Sequence, residues 1–258
     1  MTVTTQLTSL VETQLKNLVE KATGVHVHRV WPFGIDVCRD IKNALPAFQA
    51  DVVFDVGANV GQSAAKFLHC FPQSQIYCFE PASHTFRQLQ ENLKGNERVH
   101  SFQAALGASK GKGRLLLDGP PEMFRLLDPS QGASARDDLN VEEVEMETLD
   151  EFCRDASINQ ISYLKIDTEG GDLAVLKGAE NMLSEHRIEL VEVEAGMHSG
   201  NERHVPFEVL KEFLESKRYL LFGIYGQELE WPTNEPYLRR TNPVFVSERV
   251  RYAQIESK

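Results

Sequence analysis

The stretch "FDVGANVGQ", residues 54 to 62, sets an acid two residues ahead of a glycine at the end of an apolar run. Gly57 and Gly61 let the backbone come close to a ligand. Asn59 stands where many fingerprints carry a further glycine, and it tolerates a left-handed conformation better than most residues. A second acid, Glu80 in "CFEP", closes the next apolar run, with Pro81 behind it. At the end of the second strand of an open parallel sheet, such an acid accepts hydrogen bonds from both ribose hydroxyls of an adenosine-containing cofactor. A carboxylate at Asp55 repels a pyrophosphate but suits a ligand carrying an ammonium and a sulfonium. The pattern therefore favours S-adenosylmethionine over NAD. The structural alternative has Asp55 bonded to turn amides and Glu80 opening a helix.

Two further acidic pairs end the runs "ISYLKIDTEGG" and "RIELVEVEAG". Asp167 and Glu169 stand at i and i+2, so an extended backbone turns both to one face. Glu192 and Glu194 repeat the spacing, and His198 lies in the loop beyond. Carboxylates and an imidazole so placed are side chains that take a proton from a reacting group. Asp167 leads, because an acid ending a buried strand needs a partner or a ligand. Glu194, nearer the carboxyl end than Glu192, comes next, with Glu169 and His198 as further candidates. Asp167, Glu169, Glu194 and His198 also make an oxygen-rich set of the kind magnesium or manganese takes. Their spacing is no metal signature, so a metal-free base is preferred and no metal site is assigned. The structural alternatives are a helix cap for Glu169 and loop hydrogen bonds for the glutamates. Asn242, opening the last strand, reads as a turn residue before Pro243.

The elements that must position these residues alternate. "DVVFDVGA", "GQSAAKFLHCF", "QIYCFEP" and "SHTFRQLQENLKG" read strand, helix, strand, helix, which means a parallel sheet. "RVHSFQAALG" is the third strand, "ISYLKIDTEGG" the fourth with "DLAVLKGAENML" as its helix, and "RIELVEVEAG" the fifth with "VPFEVLKEFLESK" as its helix. "YLLFGIYGQELE" and "PVFVSERV" lack a crossover helix between them and predict an antiparallel hairpin at the sheet edge. "GRLLLDG" and "VEEVEMETLDEF" predict a strand pair bracketing a loop at residues 128 to 140 that is placed to cover a ligand. The fold class is a doubly wound, seven-stranded, mostly parallel α/β sheet with a C-terminal hairpin.

Ahead of this domain, residues 51–258, the first 50 residues predict a helical extension. In "TSLVETQLKNLVEKATG", Leu10, Val11, Leu15, Leu18 and Val19 recur at helical spacing, Thr8 can cap and Gly24 follows. Its apolar face is expected to pack on the main domain or on a second copy of the chain. Composition narrows the partners. A net charge of −11 opposes nucleic acid, and the basic residues, Arg239-Arg240 among them, read as a solvated surface. Four scattered cysteines without CxxC spacing read as free thiols in a reducing compartment. With no apolar run long enough to span a bilayer and no leader pattern, the expected location is cytoplasmic.

The blocks "VVFDVGANVGQSAAKF", "IYCFEP", "LKIDTEGGDLAVLKGAE" and "VEVEAG" resemble the FkbM-type methyltransferases, a branch of the class I S-adenosylmethionine-dependent enzymes that methylate hydroxyl oxygens. The resemblance runs from about Asp51 to Glu248, and its most specific part is Lys165 to Ala179. It implies a Rossmann-like fold with methionine and sulfonium along Asp55, Gly57, Ala58, Asn59 and Gly61. It also implies ribose on Glu80 and adenine near Gln103 and Ala104. The acceptor it implies is a hydroxyl of a small molecule or glycan. Methyl transfer needs the acceptor oxygen in line with the methyl–sulfur bond and help in losing its proton. Two other readings stay open: a nucleotide-linked oxidoreductase, disfavoured by the missing middle glycine, and a Rossmann-like interaction module without activity.

Overall fold

The structure is a computed structural model and describes residues 14–23, 32–127, 140–201, 203–230, 233 and 235–256. Helix α1, described over residues 14–23, exposes Leu15 and Leu18. The Thr8 cap, the Gly24 stop and the loop at 128–139 lie outside the described residues. The main compact unit begins at Asp36 rather than Asp51. Helix α2 (Val37–Ala44) belongs to it because Val37, Cys38 and Ile41 are buried in the same cluster as Val53.

Then follow β1 (Val52–Val56), α3 (Gln62–Cys70), β2 (Gln75–Phe79), α4 (Ser83–Asn92) and β3 (Val99–Phe102). At Gln103 the chain leaves this sheet, so the expected run to Gly107 breaks in two. Strands β4 (Ala105–Leu106), β5 (Gly111–Leu116), β6 (Arg125–Leu126) and β7 (Val141–Glu147) build a second, four-stranded sheet. Its antiparallel β5–β7 ladder is the expected pair around the 128–140 loop. Strand β7 stops at Glu147, where Thr148 caps α5 (Leu149–Asp155) by accepting from the Glu151 amide.

The chain returns through β8 (Ile161–Ile166), α6 (Asp172–Lys177), α7 (Glu180–Ser184), β9 (Ile188–Val193), the two-residue β10 (Ala195–Gly196) and α8 (Phe207–Ser216). One helix was expected where α6 and α7 stand. They part at Gly178, where a methyl group would sit 2.0 Å from the Gly107 carbonyl oxygen. Strands β11 (Tyr219–Leu229) and β12 (Leu238–Ser247) form the hairpin, and α9 (Glu248–Glu256) takes up residues expected to end the last strand.

In the main sheet β3, β2, β1, β8 and β9 run parallel in that spatial order. Strand β12 pairs antiparallel with β9 and β10 on one edge and with β11 on the other. Apolar clusters cover both faces. One contains Phe54, Val56, Phe79, Leu164 and Val191, the other Val53, Ile76, Tyr163 and Leu190. Successive residues thus serve opposite sides, as a doubly wound sheet requires.

The cysteines correct one expectation. Cys38 and Cys70 form a disulfide between α2 and α3, with Cα atoms 5.8 Å apart, while Cys78 and Cys153 are free and buried. The bond removes the thiol argument for a reducing compartment. No helix among the described residues is long and apolar enough to cross a membrane. The bridge spans a sequence separation of 32, and closing such a loop restricts the unfolded chain by roughly 3–4 kcal/mol. Denatured without reductant, the protein should titrate two thiols, and Cys38→Ala should lower unfolding stability by up to that amount; four thiols would contradict the pairing.

Candidate active site

The carboxyl ends of β1 and β8 meet at a glycine. Gly57 has φ +81°, and a Cβ there would lie 1.8 Å from the Asp167 carbonyl oxygen. Only a residue without a side chain allows the two strand ends this close. Gly57 and Ala58 both donate their amides to the Phe79 carbonyl oxygen at 3.0 Å, which ties the turn to β2. Asn59 takes the left-handed conformation its type permits, with φ +49°.

Glu80 locks this turn. Its Oε2 accepts from the Asn59 amide at 3.1 Å and its Oε1 from the Ala82 amide at 2.9 Å. Burial pushes its carboxyl up to about 7, against those two bonds. A carboxylate has about four lone-pair sites, so both oxygens keep room for a ligand hydroxyl. Beside it, Asn59 Oδ1 is buried and has no hydrogen-bond partner among the described residues. Both side chains line a cleft of about 290 Å³ that Pro81 and Ala104 also border, with Pro121, Phe124 and Leu126 as an apolar wall. An orphaned acceptor, a carboxylate with spare lone pairs and an apolar wall fit an aminoacyl-nucleoside cofactor.

Beneath the cleft a row of charges crosses the sheet. Asp55 on β1, Lys165 on β8 and Glu192 on β9 are register partners. Lys165 Nζ lies 2.9 Å from Asp167 Oδ2 and 3.8 Å from Asp55 Oδ1. Burial alone lowers a lysine's pKa, but Asp167, Asp55 and Glu192 together raise that of Lys165 above its ordinary value. Asp167 ends below the usual carboxylate range: burial works upward, and the Lys165 ammonium, with help from Arg240 and Glu194, outweighs it. Asp55 is the reverse case, pushed up to about 6 by burial against the pull of Lys165. Glu192 accepts from the Tyr163 hydroxyl and faces the Asn242 amide at 3.4 Å.

At the other end of the cleft stand Asp167, Glu169 and Glu194, with Arg240 beside them. Arg240 pairs with Glu194 and, at 2.8 Å, with Glu228. Asp172 fixes the β9 end by accepting from the Glu194 amide at 2.9 Å and from the Thr168 hydroxyl at 2.8 Å. His204 Nε2 lies 3.1 Å from Glu194 Oε2 and 3.7 Å from Glu169 Oε2. Arg203 donates to Glu169 at 2.5 Å. The loop carrying these two residues reaches β8 because position 170 is a glycine: a methyl there would fall 2.3 Å from the Arg203 carbonyl oxygen.

Four expected site residues do not line the cleft. Asp55 is fully buried against Lys165, which shields it from a ligand in the cleft. Gly61 starts α3 and packs on Leu93 and Leu89. Gln103 is exposed where the chain passes between the two sheets. His198 holds Glu230 at 3.1 Å, a contact of the hairpin. Asn242 lies within β12, opposite Tyr225, and does not open that strand. Lys165, Arg240 and His204 were not foreseen. The signal for Lys165 was a lone charge inside a buried strand; Arg240 and His204 gave none, because distant elements bring them in.

Residues 55–221 match the family described as Methyltransferase FkbM domain. Among curated relatives, the 2-O-methyltransferase NoeI of Sinorhizobium fredii is 27% identical over 53% of this chain and 60% of its own length. The Methyltransferase 1 of Beauveria bassiana is 26% identical over 76% of this chain and 81% of its own. The hexuronic acid methyltransferase AglP of Haloferax volcanii is 27% identical, covering 66% and 64%. The chain thus spans less than two thirds of the length of NoeI and of AglP.

Two variants test this geometry. Gly95 has φ +80° and open space, with nothing within 4 Å, where a methyl group would sit, against 1.8 Å at Gly57. In urea, Gly95→Ala should cost only the left-handed penalty of about 1–2 kcal/mol and Gly57→Ala far more; equal losses would contradict the close approach. Glu80, raised on folding, contributes stability that is full below about pH 4 and is lost as pH rises through about 7. Glu80→Gln has no proton to lose, so its unfolding midpoint should gain on the wild type across that range; a variant that lost ground with rising pH would overturn the assignment.

Proposed function

The chain belongs to the FkbM methyltransferase family, and from that premise we propose that it transfers a methyl group from S-adenosylmethionine to a hydroxyl oxygen of a small molecule or glycan. The observation that carries the proposal is the single cleft in which Asn59 and Glu80 face Asp167 and Glu194. When bound, the cofactor supplies an electrophilic methyl whose bonding pair stays on sulfur as the oxygen–methyl bond forms.

The chain's own residues do the rest. Glu80 accepts from the ribose hydroxyls, and the orphaned Asn59 Oδ1 accepts from the ammonium. The turn from Gly57 through Ala58 brings bare backbone against the methionine part, with Ala104 on the adenine side. Asp167, held as an anion by Lys165, attracts the sulfonium and the acceptor's departing proton. Glu194, fixed by Arg240 and by Asp172 through its amide, orients the acceptor with Glu169. The 2-O-methyltransferase NoeI supports transfer to an oxygen, and the hexuronic acid methyltransferase AglP supports a sugar-like acceptor. A net charge of −11 supports that over a nucleic acid.

S-adenosylhomocysteine should bind the purified protein and raise its melting temperature by mass action, whereas NAD should do neither. Glu80→Ala should weaken that binding by roughly 1.5–3 kcal/mol, the worth of hydrogen bonds to a charged group; an unchanged Kd would sink the ribose assignment. Once labelled methyl transfer has identified the acceptor, Asp167→Asn and Glu194→Gln should keep cofactor affinity and lower turnover. The loss should be about 10²- to 10⁴-fold at a proton-accepting residue. Normal turnover in both would leave proximity alone as the source of rate.

A further inference from the structure

We propose that Glu169, Glu194 and His204 hold a divalent metal ion, of the manganese type, at the acceptor end of the cleft. The ligand atoms of these three side chains all lie within 4.8 Å of one another. The case beyond proximity rests on hydrogen positions. Asn201 donates its Nδ2 to the Arg239 carbonyl oxygen at 2.9 Å, which fixes its amide so that Oδ1 faces His204 Nδ1 at 3.0 Å. An amide oxygen accepts only, so Nδ1 carries a proton and Nε2 is the nitrogen left to meet a ligand.

Nε2 lies 3.1 Å from Glu194 Oε2 and 3.7 Å from Glu169 Oε2, an oxygen that Arg203 Nε also meets at 2.5 Å. Glu194 is 1% exposed, and its Oε2 has no hydrogen bond among the described residues, while Arg240 takes its Oε1. A buried carboxylate oxygen left in this state is costly unless a cation meets it. An imidazole whose other nitrogen donates to an oxygen acceptor, as His204 does to Asn201, is oriented as metal-bound histidines are.

Two carboxylates with one imidazole suit manganese or zinc better than magnesium. Arg203 and Arg240 strengthen that preference: their charges oppose a cation held only by long-range attraction, so the inner bonds must supply the affinity. Glu169 and Glu194 line the cleft, so the ion's free positions face the acceptor. A hydroxyl oxygen bound there loses its proton more readily, as zinc-bound water does when its pKa falls from 15.7 to about 7. The proton leaves to a neighbouring carboxylate or to water as the oxygen–methyl bond forms, and the sulfur keeps the electron pair. The sequence pattern assigns no metal, because the spacing of Asp167, Glu169, Glu194 and His198 is no metal signature, and His204 is not among its candidates.

The proposal builds on the methyl-transfer reading, but its test reads the ion directly. Chelator-treated protein is titrated with Mn²⁺ and followed by electron paramagnetic resonance. One ion per chain should bind, with a nitrogen coupling from the imidazole. His204→Gln should abolish that coupling, and Glu169→Gln should weaken binding about tenfold or more. Asn201→Ala, which removes the support of the His204 ring and of the backbone amides of Arg203 and His204, should weaken it about 10- to 100-fold while keeping the coupling. S-adenosylhomocysteine affinity, set by Asn59 and Glu80, serves as the folding control for each variant. Failure of the wild type to bind Mn²⁺, a nitrogen coupling that survives His204→Gln, or unchanged affinity in folded Glu169→Gln and His204→Gln would overturn the site. None of these outcomes would touch the cofactor assignment.

Discussion

Lys165 sits in β8 with Asp55 beside it on β1 and Glu192 beside it on β9, in one row across a sheet covered on both faces. Strands in such a sheet are normally apolar throughout, and an ammonium there survives only with carboxylates around it. This arrangement governs the strand ends. Lys165 holds Asp167 at the mouth of the cleft, Asp55 anchors Lys165 from the first strand, and Glu192 is in turn occupied by Tyr163. The carboxylates are thereby sorted. Glu192 is a structural partner, Asp55 a buried counter-charge, and Asp167 the anion that lines the cleft.

The same strand ends divide the cleft into two halves. Gly57 brings the β1 turn onto the β8 backbone, so Asn59 and Glu80 share one cleft with Asp167, Glu169 and Glu194. Glu80 belongs to the first half and stabilises it mechanically as well, since both its oxygens hold backbone amides. The second half is assembled from farther away. Asp172 of α6 ties down the Glu194 amide, the 201–204 loop delivers His204 and Arg203, and β12 delivers Arg240.

What was legible follows from this division. The strand–helix alternation and the glycine turn are local signals, and so are Glu80 at the end of β2 and Asp167 at the end of β8. All of them rest on periodicity or on a residue type that one conformation demands. The insertion of β12 between β9 and β11 is not local, and it is what carries Arg240, expected on a solvated surface, into the cleft. Likewise Cys38 meets Cys70 only because α2 folds against α3. His198 and His204 are both loop histidines after β9, and nothing in their spacing tells that the first goes to Glu230 and the second to Glu194. Asp55 ends its strand as its sequence suggests but is buried against Lys165 and does not line the cleft, because that lysine comes from a strand far along the chain.

The central claim is that the buried charges need one another. The most direct measurement is the unfolding free energy of Lys165→Met beside that of the double variant Lys165→Met, Asp55→Asn. Removing the ammonium alone leaves uncompensated buried carboxylates and should cost about 3–5 kcal/mol, much of which the double variant should recover. A Lys165→Met protein as stable as the wild type, or a double variant whose losses simply add, would contradict the account.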